Sequence, residues 1–190
     1  MLLTEFDANR QAIINPEALH EPLEGFPKIA VSCFSRLTFQ RMLEMFPHEL
    51  IYETSMANVA IPIYKLVIDD NELAIFNAPV GASACVGILE DIFALGADKL
   101  VLFGTCGVLD EDIKETSIII PSHALRDEGT SFHYVEASDE IAVNVGVLDH
   151  FRSYLNERQI SHKEGKVWTT DGIYRETNGK LKARKAAGAI

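Results

Sequence analysis

An α/β protein is what this sequence predicts, on three observations. Strand-type apolar runs alternate along the chain with segments whose apolar residues recur at helical spacing. The central runs, such as "LVLF", are apolar at every position, as strands covered on both faces of a mostly parallel sheet must be. Three runs end in small, polar or charged residues, "SCFSR", "GTCG" and "TTDGIYRE". Open α/β sheets bind their ligands beyond such strand ends.

The elements follow in order. In "PKIAVSCFSR" the apolar run Ile29 to Val31 breaks into small polar residues and opens "LTFQRMLEMF", where Leu37, Met42, Leu43 and Phe46 share a helix face. "NVAIPIYKLVIDDNELAIFNAPVG" reads as two β-rich runs around a "DDNE" turn. Cys85, Val86, Leu89, Ile92, Phe93 and Leu95 then form an apolar helical stripe that stops at Gly96, a residue suited to a left-handed cap. The strand "VLF" runs into Gly104. Beyond it come the strand "TSIIIPSHAL", a helix around Val147 to Leu155, the extended run "SHKEGKVWTTDGIY" and a last helix from Gly179 to Ala189. No internal linker interrupts them, so residues 1–190 read as one domain.

Composition narrows the function classes. The 190 residues are 47% hydrophobic and 24% charged, a soluble globular profile with enough apolar content for a core. Apolar runs are too short to cross a bilayer, and the first residues carry acids where a signal peptide carries a basic start. A cytoplasmic protein with no membrane partner is expected. A net charge of -11 opposes binding to a phosphate backbone, which excludes nucleic acid as the expected partner. Cys33, Cys85 and Cys106 are odd in number and lack metal-type spacing, so buried thiols are expected, with no disulfide framework and no metal. The late basic group Lys180, Lys182, Arg184 and Lys185 reads as a solvated helix face.

Two glycines bracketing a hydroxyl and a thiol, Gly104-Thr105-Cys106-Gly107, let backbone approach a ligand and aim N–H groups at it. Such a strand end suits an anion; it equally suits a tight turn with no ligand.

Three segments together resemble a family. Asn77 to Leu109 ("NAPVGASACVGILEDIFALGADKLVLFGTCGVL"), Ile118 to Tyr134 ("IIIPSHALRDEGTSFHY") and Thr169 to Glu176 ("TTDGIYRE") look like the nucleoside phosphorylases of the uridine and purine phosphorylase type, in the same order and at similar separations. The resemblance runs from Lys28 to the last residue. It implies a three-layer α/β/α fold around a mixed, partly barrel-like sheet, assembled as dimers or hexamers whose sites borrow residues from a neighbour. The implied reaction is reversible phosphorolysis: phosphate attacks C1′ of a nucleoside through an oxocarbenium-like transition state and the base departs. No cofactor is implied, only inorganic phosphate as co-substrate beside a small-molecule nucleoside.

Carried over residue by residue, the resemblance places Gly104, Thr105 and Gly107 on phosphate, with Gly81 in the Gly-rich loop and Arg36 as the arginine after the first strand. Read alone, Gly81 is a turn before a helix and Arg36 an exposed first-turn residue. Cys106 falls beside the nucleoside; with no partnered base nearby it reads as a small packed residue and not a nucleophile. His133 resembles a histidine near the base and ribose, though a lone histidine there also suits structural hydrogen bonding. Ile173 and Tyr174 would face the base, Arg175 would donate to a base carbonyl, and Asp171 would fix the loop. His20 resembles the histidine lent to a neighbour's 5′-hydroxyl. Arg126, Asp127 and Glu128 read either as a surface cluster or as ligands to loop backbone.

The sequence also departs from the family. Leu102 stands where these phosphorylases carry a phosphate arginine, and no arginine lies between Arg41 and Arg126 to serve a neighbouring subunit. "ARKAAGAI" ends where the family continues into a Met-Glu pair that grips ribose, so a truncated form is expected. Uridine-type substrates lead purine nucleosides on resemblance, although the glutamine and arginine that read uracil are unmatched after "DGIY". A phosphate-independent nucleosidase and a catalytically silent nucleoside-binding homologue are the competing readings.

Overall fold

The structure, a computed structural model, describes residues 2–114 and 117–190 and divides into two units, Asn9–Thr105 and Met1–Ala8 with Cys106–Ile190. In the first unit the chain runs through β1 (Ile29–Cys33), α1 (Arg36–Met45), β2 (His48–Met56), β3 (Val59–Ile68), β4 (Asn71–Asn77), α2 (Ala82–Leu95) and β5 (Lys99–Phe103). The five strands form one mixed sheet in the order β2-β3-β4-β1-β5. β1 pairs in parallel with both β4 and β5, while β2, β3 and β4 form an antiparallel meander.

Strand periodicity sorts the core into two layers. Ala74 and Phe76 of β4 pack with Ala30, Ile61, Ile63 and the α2 residues Cys85, Ile88, Ile92 and Leu95. Ile75, between them, packs with Cys33, Leu66 and Phe39 of α1 on the opposite face. One helix therefore covers each side, giving the expected α/β/α layering. Ser35 caps α1 by accepting the Thr38 N–H at 3.2 Å. Gly96, at φ 129°, ends α2, as its place after the apolar stripe predicts. Asp69 and Asp70 both adopt positive φ, the conformation of a two-residue turn that matches strand twist, at the predicted β3–β4 corner.

Two features of this unit differ from the sequence reading. β2 is not predicted, because most of its side chains are exposed or polar and show no apolar alternation. β5 is apolar but not buried throughout: Leu102 and Phe103 are exposed, and among the described residues β5 is an edge of its sheet.

The second unit holds β6 (Ile118–Asp127), β7 (Glu140–Ala142), α3 (Val145–Glu157), β8 (His162–Thr170) and α4 (Asn178–Ala186). β6 lies between antiparallel β7 and parallel β8. The predicted strand begins at Thr116, which lies outside the described residues; β6 extends beyond the predicted end at Leu125 to Asp127. Its register shifts between Pro121 and His123, where proline has no N–H for the ladder. Leu148 and Leu155 of α3 pack on Ile120, seven residues apart on one helix face. After α4 the chain returns beside β8: Ala189 bridges Lys166, and the Ile190 side chain sits so close over Gly165 that a Cβ there would lie 2.5 Å from it. The described strands form open sheets with no closed barrel.

Ile88 has no exposed surface and lies at the centre of the α2 layer. Ile88→Ala is expected to lower unfolding free energy by about 2–5 kcal/mol, read from the midpoint of urea denaturation.

Candidate functional site

The first unit brings four predicted phosphate residues to one end of its sheet. Register pairs Cys33 with Asn77 of β4 and with Phe103 of β5, so three parallel strands finish level. From those ends leave Phe34 to Arg36, Ala78 to Gly81, and Gly104 with Thr105. The order of the sheet reverses here, because β1 is followed in sequence by strands on one side of it and later by β5 on the other. Ligands of open α/β sheets bind at such a reversal.

Side chains that the sequence reading missed hold these ends. Ser32, fully buried, donates its hydroxyl to the Phe76 carbonyl at 2.7 Å and accepts the Ala78 N–H at 3.0 Å. Asn77 donates Nδ2 to the Cys33 carbonyl at 2.7 Å, and the same carbonyl accepts the Ala78 N–H. The loops after β1 and β4 are thus fixed by hydrogen bonds to backbone, which sequence spacing cannot reveal across 44 residues.

Around this frame the predicted groups are available. Arg36 opens α1, is exposed, and makes no hydrogen bond or ion pair among the described residues. Gly81, at φ 114°, precedes α2, whose first turn has no side-chain cap. Uncapped first-turn N–H groups and the positive end of the helix dipole favour an anion. Thr105 is exposed and free of the core. Gly104 is held to glycine by close approach: a Cβ would lie 2.9 Å from the Phe34 ring. Gly107 has neither a positive φ nor a neighbour within 4 Å, so its backbone makes no demand for glycine.

Cys106 is a correction. It is exposed, not packed, because β5 ends at Phe103 and the following residues lie outside any sheet; Cys33 and Cys85 are buried as expected. Burial raises both of those thiols above the usual cysteine range.

His20 lies inside the first unit, half-buried. Its Nε2 is 3.0 Å from Asp91 Oδ1 and its Nδ1 is 3.1 Å from the Tyr52 hydroxyl, while Thr54 donates to the second Asp91 oxygen at 2.7 Å. Both ring nitrogens are engaged within its own chain. The group borders an open cleft of about 490 Å³ between Pro16, Met56, Gly87 and Glu90, which none of the predicted phosphate residues lines.

In the second unit β6 and β8 also end level, Asp127 opposite Thr170. A short 3₁₀ turn after β6, Thr130–His133, carries His133; another after β8, Ile173–Arg175, carries Ile173, Tyr174 and Arg175. All four side chains are exposed, Tyr174 at 94%. Asp171 accepts the Gly129 N–H at 2.9 Å and so joins the two loops, the fixing role read for it. Asp127 accepts from Trp168 Nε1 at 3.1 Å and from Lys180 at 2.9 Å, with Arg184 at 3.4 Å. Lys180 and Arg184 are therefore ion-paired rather than simply solvated. Burial would raise the Asp127 carboxyl, but the hydrogen bonds from Lys180, Trp168 and Arg184 hold it below its ordinary 3.8.

Comparison with known proteins identifies the family. The model of the phosphorylase superfamily matches residues 28–190, running through both units. The chain belongs to the phosphorylase superfamily. It is 29% identical over 94 residues to uridine phosphorylase of Treponema pallidum, covering 50% of this chain and 36% of that protein. It is 22% identical over 118 residues to guanosine phosphorylase of Halorubrum lacusprofundi, covering 60% and 49%. The crystal structure of uridine phosphorylase from Vibrio fischeri superposes with a TM-score of 0.77 at 18% identity, over 94% of this chain and 75% of that one. At that identity the likeness shows a shared fold. The chain spans about a third to a half of the length of the curated relatives it matches. Among the described residues of this superfamily member, no helix is long and apolar enough to cross a membrane.

Two outcomes follow from this geometry. Gly104→Ala, by displacing the Phe34 ring, is expected to destabilise by about 1–3 kcal/mol, whereas Gly107→Ala leaves the urea midpoint unchanged. Asp127→Asn removes a carboxylate whose folded pKa is depressed, so the stability it contributes is complete above the ordinary aspartate range and disappears as pH falls through the folded value. The Tm gap between wild type and D127N is therefore expected to be full at neutral pH and to close in acid.

Proposed function

We propose that this chain carries the phosphate- and nucleoside-binding parts of a nucleoside phosphorylase, a pentosyltransferase that converts a nucleoside and inorganic phosphate into free base and ribose 1-phosphate. The observation that carries the reading is the level end of β4, β1 and β5, where the free Arg36 guanidinium, the uncapped start of α2 behind Gly81, and the exposed Gly104–Thr105 backbone and hydroxyl surround one strand. A guanidinium, a hydroxyl and helix-terminal amides form a donor set for a phosphate dianion.

In this reading the phosphate half-site belongs to the first unit. It binds and orients the nucleophile and supplies no proton. The second unit provides a nucleoside half-site: His133 for ribose, Ile173 and Tyr174 for the base face, Arg175 for a carbonyl oxygen on which charge builds as the glycosidic bond breaks. Cys106 and Gly107 follow the phosphate strand directly; Cys106, being exposed, is accessible to a ligand. For His20 the reading lends it to a neighbouring subunit, which requires release of its bonds to Asp91 and Tyr52. We place the enzyme in the cytoplasm as a homo-oligomer, dimer or hexamer, without metal or organic cofactor, and treat residues 1–190 as part of one phosphorylase domain. Uridine-type substrates are favoured and purine nucleosides are the alternative.

Leu102 at the place of a phosphate arginine favours a second reading, hydrolysis by water. Release of base from uridine and inosine, followed with and without inorganic phosphate, separates the two. Phosphate-dependent release is the expected result; release without phosphate assigns a nucleosidase, and nucleoside binding without release assigns a silent homologue. Arg36→Ala is expected to weaken phosphate binding about 10- to 100-fold by calorimetry, with nucleoside affinity unchanged.

A further inference from the structure

Arg126, the penultimate residue of β6, is only 7% exposed, yet no carboxylate lies within ion-pair distance of it among the described residues. Every hydrogen bond of its side chain goes to the loop between β6 and β7, and none to a strand. Nε donates to the Ser131 hydroxyl at 2.8 Å, and Nη1 donates to the Glu136 carbonyl and the Ser138 hydroxyl, both at 2.8 Å. The guanidinium also lies 4.1 Å from the centre of the Phe132 ring. Ser131 passes the charge on: its hydroxyl donates to Glu128, and its N–H donates to the other Glu128 oxygen at 2.9 Å. Cation, hydroxyl and anion thus form a chain across the loop, while Nη1 holds the far side. Among the described residues the buried Nη2 meets no hydrogen-bond partner.

Burying an arginine is expensive, and here the hydrogen bonds that offset the cost all go to one loop. What these bonds enclose is the turn Thr130–His133, with Tyr134 directly after it. We propose that Arg126 is a positioning residue: by pinning both sides of this loop it sets the His133 and Tyr134 side chains for a nucleoside. The proposal rests on the reading of His133 as part of the nucleoside half-site. The planar fork suits this task, because Nε and Nη1 donate in fixed directions to Ser131 and to Glu136 and Ser138, which a single ammonium does not reproduce.

The test uses the 190-residue chain with Arg126→Lys and, as the milder change, Ser131→Ala. Hydrogen exchange of amides 128–138 is expected to rise about tenfold in both, with exchange in the β6 and β8 ladders unchanged. Calorimetry is expected to show uridine or inosine binding about tenfold weaker and inorganic phosphate binding unaltered, a split that general destabilisation would not produce. If R126K does not fold, S131A decides by the same readouts. Wild-type protein that binds neither nucleoside overturns the proposed function and the role of Arg126 with it. Wild-type binding that both variants leave intact, or loop exchange that neither changes, overturns the positioning role alone.

Discussion

One hydroxyl without access to solvent organises the first unit. Ser32 sits inside β1, between the two helix-covered layers, and bonds to backbone on either side of the β4 end. A satisfied buried hydrogen bond contributes only about 1 kcal/mol net, but an orphaned one costs more, so the pair of contacts admits one relative setting of the two strands. Asn77 repeats the device from the opposite strand. Everything offered to an anion at this edge, the Arg36 guanidinium, the α2 amides and the Thr105 hydroxyl, hangs from strands whose ends those bonds hold level. The chemistry is carried by loops and the precision by the sheet.

Sequence periodicity made the layers legible. The stripe that ends at Gly96 and the alternation around Ile75 both report burial, and burial is what hydrophobic patterns encode. β2 escaped because an edge strand with mostly exposed residues buries too little to leave a period. Cys106 departs from the expected packed thiol for a related reason: the absence of a partnered base speaks against a nucleophile but says nothing of burial, and the residue lies beyond the end of β5 at Phe103. The candidate site was legible where its residues form a local motif, as at Gly104–Thr105 and "TTDGIYRE". It was illegible where contacts join distant segments, as with Ser32, Asn77, and Asp171 to Gly129. Arg126 lies between these cases: its role as a ligand to loop backbone was one of two open readings, and only the geometry separates them.

The two units solve one problem in different ways. In the first, backbone and neutral side chains fix the loops, leaving Arg36 unpaired. In the second, several charges are paired internally: Lys180 and Arg184 meet Asp127, Arg152 meets Asp149 and Glu164, and Lys166 meets Glu140. Paired charges have little left to offer a ligand, and what the turn after β8 presents is the exposed Ile173, Tyr174 and Arg175.

The neutral character of the Ser32 and Asn77 contacts also separates shape from occupancy. Mobile ions screen a guanidinium and a helix terminus within about 10 Å at 0.1 M but hardly touch a dry hydroxyl-to-carbonyl bond. If the strand ends hold an anion as proposed, raising ionic strength releases it long before it alters the spacing of those ends.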